Sequence, residues 1–327
     1  MMQSKLNKSS KWRLLVKLLL TIGAIWFIYL KICNHEGLRD YLTQLQTALS
    51  QRGSALIILT VFVLMILNWT VEAVKWKFMI DKIEVVKTGR ALEAVFSGLT
   101  FSFFTPNRIG EYAGRVFHLH SGKRLQATFI TIIENGSQLI ITMLMGSIAS
   151  MFYLKDFMEI SPWIYILIRF LLFAFCIFCL LLYFNIDLFE KMFQRYRLKD
   201  QWKQILHVFS MYSNLELLKV LALSCLRYLI FSIQFYLLLI VYGCDFGFFP
   251  GLLMISMTFF VMSIVPTFTI AELGVRGAVS AYFFGKLTID VLPVLNATFS
   301  LWLINLAIPA LIGAFFIFHF RLERIEE

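Results

Sequence analysis

Charge is scarce in this chain. Aspartate, glutamate, lysine and arginine make up 15% of its 327 residues, where soluble domains carry about 25%. Hydrophobic residues reach 59%, 34 of them phenylalanine, and mean hydropathy is +0.77. A soluble surface bearing that load would aggregate, so the deficit excludes a soluble globular domain and indicates a membrane protein. Chemistry-bearing motifs are missing too. There is no glycine-rich phosphate loop, no dinucleotide fingerprint and no nucleophile–base–orienter set, so no cofactor is expected and catalysis is not the leading reading. Cysteine is sparse: Cys33, Cys176, Cys179, Cys225 and Cys244 form no framework. Cys176 and Cys179 lie in "FCIFCLLLYF" and read as two thiols within an apolar helix rather than a redox or zinc pair. His118 and His120 are the one close histidine pair, too few for a metal site, and no metal is expected.

What charge there is has a sign and a pattern. The net charge is +10, but the basic residues fall between apolar runs and leave no soluble region to grip a nucleic acid. Membrane lipids are therefore the expected partners. A crossing helix needs about 20 apolar residues. Six segments qualify: about 12–32, 54–74, 126–154, 162–184, 216–242 and 292–318. The first is too long for a cleaved signal segment and lacks its small-residue site, so it reads as a retained span. Two further apolar stretches, 92–105 and about 247–265, run into Pro106 and Pro266. The polar, glycine-containing segments that follow them suggest re-entrant or broken-helix hairpins, tolerated at membrane depth only where protein or a watery cavity satisfies the backbone.

If six segments cross and two dip and return, lysine and arginine should gather on one side. They do: 22 fall on the expected inner side, 6 on the outer, and Arg169 and Arg227 lie within spans. That bias implies cytoplasmic N- and C-termini. The fold expected is all-α: one transmembrane domain over 1–327 whose halves, about 1–160 and 161–327, each read span, span, hairpin, span. Three crossings per half would invert the second half, as in secondary transporters built on inverted repeats. A shift of about 164 residues superposes the apolar segments, whereas a shift of 161 aligns "IGEYAGR" with "IAELGVR". The sequence does not choose between them.

The hairpins carry the candidate site. Pro106 lacks an amide donor, Asn107 tolerates unusual backbone angles and Gly110 has no Cβ, so together they permit a sharp break. Pro266 and Gly274 are expected to break the second hairpin. A helix restarting near Arg108 would offer free amides and a guanidinium to a phosphate. Glu111 and Arg115 are four apart and face one another on a helix, as do Glu272 and Arg276. Arg115, with Lys123 and Arg124, reads more simply as an interfacial charge reaching water. Glu72, Glu134 and Arg227 lie within spans, where a central charge costs roughly 2.5–3.5 kcal/mol. Glu134 and Arg227 should therefore face the protein interior and could face each other, with Gln138 and Gln234 on the same polar track. Of the Asn-x-Ser/Thr sequons at Asn7, Asn68, Asn135 and Asn296, two or three fall in or against spans, so they read as coincidence.

These residues resemble a known family. "TPNRIGEYAGR" is similar to the T-P-G-R-[LI]-G-E signature of the lysylphosphatidylglycerol synthase transmembrane region, the flippase-like domain also found at the N-terminus of the multiple peptide resistance factor. "AVKWKFMI" (73–80) resembles its Leu-Arg-Trp element. "TIIENG" resembles its Glu-Arg element, with Glu134 kept and Asn135 in place of arginine. "PTFTIAELGVRGAVS" resembles its T-P-G-G-[LI]-G-x-R-E element: Thr269, Leu273, Gly274, Val275 and Arg276 match, and Ile270, Ala271 and Glu272 replace Pro-Gly-Gly. The resemblance implies a multi-pass protein of the bacterial cytoplasmic membrane linked to lipid translocation. The soluble aminoacyltransferase domain of the resistance factor is not expected after "HFRLERIEE". The function expected is a flippase moving a phospholipid or polyprenyl-linked lipid, with Arg108, Glu111, Arg115, Glu134, Arg227, Glu272 and Arg276 binding it. The alternatives are a non-transporting partner of a lipid or glycan biosynthesis enzyme and, less favoured, a membrane-embedded headgroup enzyme. The oligomeric state is not legible.

Overall fold

The computed structural model describes residues 43, 46, 47, 50, 53–103, 105, 108–194, 205–265 and 269–326. The expected first span, 12–32, and Pro106, Asn107 and Pro266 lie outside them. The described residues form helices and turns with no strand. In chain order the helices are α1 (Ser54–Ile80), α2 (Thr88–Ser102), α3 (Gly110–Val116), α4 (Arg124–Phe157), α5 (Pro162–Phe184), α6 (Asp187–Gln194), α7 (Asn214–Val241), α8 (Phe248–Ile264), α9 (Thr269–Phe284), α10 (Leu292–Trp302) and α11 (Ile308–Glu326). A π-helical turn, Leu303–Ala307, joins the last two into one span. Five helical stretches are long and apolar enough to cross a membrane: Ser54–Ile80, Arg124–Phe157, Pro162–Phe184, Asn214–Val241 and Leu292–Ile317. The protein is an all-α, multi-pass membrane protein.

Local signals set the helix ends. Ser213 and Glu216 form a reciprocal capping box that starts α7, and Pro162 sits in the first turn of α5, where its missing amide costs nothing. Asp81 closes α1, accepting from Lys77 and from the Val86 amide (3.0 Å). α1 thus runs past the expected end of its span, and Lys75 and Lys77 belong to the helix rather than to a loop. α5 is apolar except for Arg169 and buries only Tyr183, while Trp163 is 81% exposed. A helix of that composition on the rim of a bundle suits lipid contact.

α1 and α7 pack antiparallel. Gln234 donates to the Val61 carbonyl (2.9 Å), whereas Lys75 reaches Ser224 (3.3 Å) and the Tyr212 hydroxyl donates to the Met79 carbonyl (2.8 Å). The C-terminal end of α1 therefore lies beside the N-terminal end of α7. Each of these two helices leads into a hairpin, so the hairpins start from opposite ends of the bundle. Both return to where they began. Ahead of α2, Glu84 accepts from the His120 amide (3.1 Å) beyond α3. Phe246, ahead of α8, packs its ring on Phe284 at the end of α9.

Glycine permits the close approaches. In the first hairpin α2 and α3 nearly touch: a Cβ on Gly114 would lie 2.6 Å from the Gly98 Cα. Between the halves, α2 lies along α11 and α8 lies along α4. A Cβ on Gly313 would strike the Phe96 carbonyl, and one on Gly146 would strike the Phe260 ring. Phe96 and Phe260 are 164 residues apart. Seven residues separate α2 from α3 and four separate α8 from α9, a difference of three. That difference is the gap between the two shifts found in the sequence: 164 relates α2 to α8, and 161 relates α3 to the start of α9.

Candidate functional site

Two ionic clusters lie where the hairpin turns converge. In the first, α1 contributes Glu72 and Lys75, one turn apart on the face turned inward. α3 contributes Glu111 and Arg115, α4 contributes Glu134, and α7 contributes Arg227. Glu72 bridges three cations: Arg115 (2.5 Å), Arg227 (2.5 Å) and Lys75 (2.9 Å). Glu134 pairs with Lys75 (2.7 Å) and Arg115 (2.9 Å), and Glu111 pairs with Arg115. Three carboxylates thus meet three cations and the cluster is neutral. Lys75, Arg115 and Glu134 are 0% exposed; such burial is tolerable only because every charge is matched and hydrogen-bonded. Arg227 also accepts company from uncharged groups: its Nε donates to Asn68 Oδ1 (3.1 Å), its Nη1 approaches Gln138 Oε1 (3.5 Å), and its guanidinium stacks 5.3 Å from the Trp69 ring centroid.

The second cluster joins the hairpins. Arg108 Nη2 and Arg276 Nη2 both donate to Glu272 Oε1, each at 2.7 Å. Arg108 sits in the turn of the first hairpin with φ 58°, the left-handed region, and is the one described non-glycine residue there. Glu272 and Arg276 occupy successive turns of α9.

Between the clusters is a cavity of about 570 Å³. Charged and polar side chains line it (Asn68, Glu72, Arg108, Glu111, Asn135, Gln138, Arg227, Glu272 and Arg276), interleaved with apolar ones (Leu99, Leu139, Phe231, Phe259, Met262, Ile264 and Val265). Asn305 also lines it, from the π turn of the last span; it donates to the Leu301 carbonyl (3.3 Å) and its Oδ1 has no partner among the described residues. A π turn offsets the helix register, and such turns recur at functional sites.

Of the residues expected to bind substrate, Arg108, Glu111, Arg227, Glu272 and Arg276 line this cavity, whereas Arg115 and Glu134 lie behind it in the neutral cluster. Several particulars differ from expectation. Glu134 and Arg227 do not face each other; Glu72 and Lys75 stand between them. Arg115 is not interfacial but buried, because α3 lies inside the bundle. Gly274 is not at a break: it lies within α9, and the turn precedes Thr269. Gly110 is at the break, with Phe101 and Thr105 crowded against it, and its amide donates to Thr105 Oγ1 (2.7 Å). That amide is already occupied, and α3 spans only seven residues, so the helix start offers no ready phosphate cradle. Gln234 ties α7 to α1 away from the cavity.

A family model for the lysylphosphatidylglycerol synthase TM region matches residues 14–313. The chain belongs to this family. The match spans both hairpins and every residue of the two clusters. No curated protein and no solved structure matches the chain.

Sequence reasoning missed Lys75, Asn68 and Asn305 as parts of this site. Lys75 follows an apolar run and was assignable to a loop, but its spacing of three from Glu72 was an available signal. Asn68 lay in a coincidental sequon; its burial inside a span was the better clue. Nothing local marks Asn305, since the π turn arises from packing.

Proposed function

We infer that this protein moves a phospholipid or polyprenyl-linked lipid between membrane leaflets. The observation that carries the reading is the cavity, which offers charged side chains to a headgroup and apolar side chains to the first carbons of a hydrocarbon tail, set where Arg108 of the first hairpin meets Glu272 at the start of α9. Sites of this kind, near the midplane between discontinuous helices, suit alternating access.

The halves are proposed as inverted repeats. In support, α1 and α7 are antiparallel, the α2–α11 and α8–α4 contacts are reciprocal, and the loop difference reconciles the two sequence shifts. The cavity-lining Arg108, Glu111, Arg227, Glu272 and Arg276 contact the headgroup, while Arg115, Glu134 and Lys75 hold α1, α3 and α4 together. The proposed location is the bacterial cytoplasmic membrane with both termini inside. Removing the buried Lys75 and Arg115 and the cavity-lining Arg108 from the inner count of 22 leaves 19, and removing Arg276 from the outer count of 6 leaves 5. The bias therefore survives the structure.

The test is leaflet-resolved lipid movement in proteoliposomes, wild type against Arg108→Ala. Movement above protein-free vesicles that Arg108→Ala abolishes, at unchanged insertion and abundance, supports the reading. Absence of movement for every phospholipid and polyprenyl-linked lipid tried refutes it and favours a scaffold for envelope lipid or glycan synthesis.

A further inference from the structure

The charges in and behind the cavity do not cancel. Among the described residues, the neutral cluster takes three carboxylates and three cations, whereas Arg108 and Arg276 share the single carboxylate of Glu272. The site therefore carries one excess positive charge, and it lies on the cavity wall. Its donors are unfilled as well. Both guanidiniums direct Nη2 to the same Glu272 oxygen, and the Arg276 Nε has no hydrogen-bond partner among the described residues although Arg276 is only 8% exposed. A buried donor without a partner is costly, and a guanidinium fork fits phosphate oxygens in pairs. The carboxylates are in the opposite condition. Glu72, Glu111 and Glu272, the three that line the cavity, each already have a cationic partner, so an ammonium headgroup finds no unmatched acid.

We propose that the Arg108–Glu272–Arg276 triad seats one negative charge, so that the cavity selects a monoanionic phosphodiester lipid over zwitterionic and doubly charged phosphomonoester lipids. This rests on the lipid-transport reading of the same cavity. The phosphodiester bridges Arg108 and Arg276 and competes with Glu272 for their Nη donors. Its first tail carbons lie against Phe259, Met262 and Val265. Glu272 has two effects: it keeps two neighbouring guanidiniums from repelling one another, and it sets the excess at one charge rather than two.

The test is equilibrium binding to the purified full chain in neutral detergent, by native mass spectrometry. The ligands are phosphatidylglycerol, phosphatidylcholine and phosphatidic acid with matched tails, and soluble glycerophosphoglycerol. Wild type should hold phosphatidylglycerol roughly tenfold or more tighter than phosphatidylcholine, the worth of one charge-assisted hydrogen bond. Arg276→Gln should erase that preference, Arg276→Lys should restore part of it, and Glu272→Gln should shift preference toward phosphatidic acid. Equal binding of the three lipids to wild type overturns the proposal without recourse to any variant. So does an unchanged preference in folded Arg276→Gln, or a Glu272→Gln protein that loses phosphatidylglycerol and gains nothing. Binding of glycerophosphoglycerol as tight as that of the lipid overturns the lipid assignment in favour of a soluble anion. Selective binding with no movement between leaflets refutes transport alone; movement without headgroup selectivity refutes this inference alone.

Discussion

Replacing Glu72 with glutamine removes one charge from a neutral cluster, part of which is buried and part of which lines the cavity. Its carboxylate contacts Arg115 and Arg227 at 2.5 Å and Lys75 at 2.9 Å, and two of these partners are 0% exposed. The variant retains shape and most hydrogen-bonding capacity, so what it tests is charge. Breaking a buried ion pair by removing one partner costs about 3–5 kcal/mol; here Lys75 and Arg115 keep Glu134, and the charge left uncompensated is that of Arg227, whose one ion pair among the described residues is with Glu72. At about 1.4 kcal/mol per power of ten, the folding equilibrium should fall by roughly two to three and a half powers of ten. Equilibrium unfolding in mixed micelles of neutral detergent and SDS reads this directly. The exposed pair Lys191–Asp187 (2.5 Å) is the internal control; Lys191→Gln should cost about 0–1 kcal/mol. The double variant Glu72→Gln with Lys75→Gln restores neutrality, and its cost should fall below the sum of the single variants by about 0.5–3 kcal/mol, as for residues in one network. A Glu72→Gln protein no less stable than Lys191→Gln, or strict additivity in the double variant, would refute the view that charge matching holds α1, α3, α4 and α7 together.

Three other outcomes follow from the geometry. Arg108 holds φ 58°, so Arg108→Gly should be more stable than Arg108→Ala by about 1 kcal/mol, since both lose the ion pair and only glycine adopts that conformation without strain; unfolding midpoints of the two variants check it. Gly114→Ala places a methyl 2.6 Å from the Gly98 Cα and 2.8 Å from the Ser97 carbonyl oxygen. Two backbones cannot yield as a side chain would, so a loss of about 1–3 kcal/mol is expected in the same assay. Single cysteines at Lys155 and Lys286, in a chain without its native cysteines, should react with an impermeant thiol reagent from outside intact cells, whereas one at Lys87 should react only after permeabilisation. Labelling of Lys87 and Lys286 positions from the same side would overturn the proposed sidedness.

The hairpins were legible because their signals are local. An apolar run too short to cross, then proline and glycine, then charge, describes a chain that enters and turns back. The pairs Glu111–Arg115 and Glu272–Arg276 were legible for the same reason, being one helical turn apart. Lys75 and Arg115 were misplaced because hydropathy registers where an apolar run ends. It does not register whether the next charge meets water or a carboxylate on another helix. Gly274 fits a break as well as a helix by residue type alone, and the packing of α9 decides for the helix.

Composition and periodicity by themselves determined that the chain is a multi-pass, all-α membrane protein. The tertiary structure alone decided which charge meets which. Arg115 finds Glu72 and Glu134 at separations of 43 and 19 residues, and Arg108 finds Glu272 at 164. Helix periodicity fixes the direction of a side chain over a few turns only, whereas ion pairing depends on which helices lie side by side.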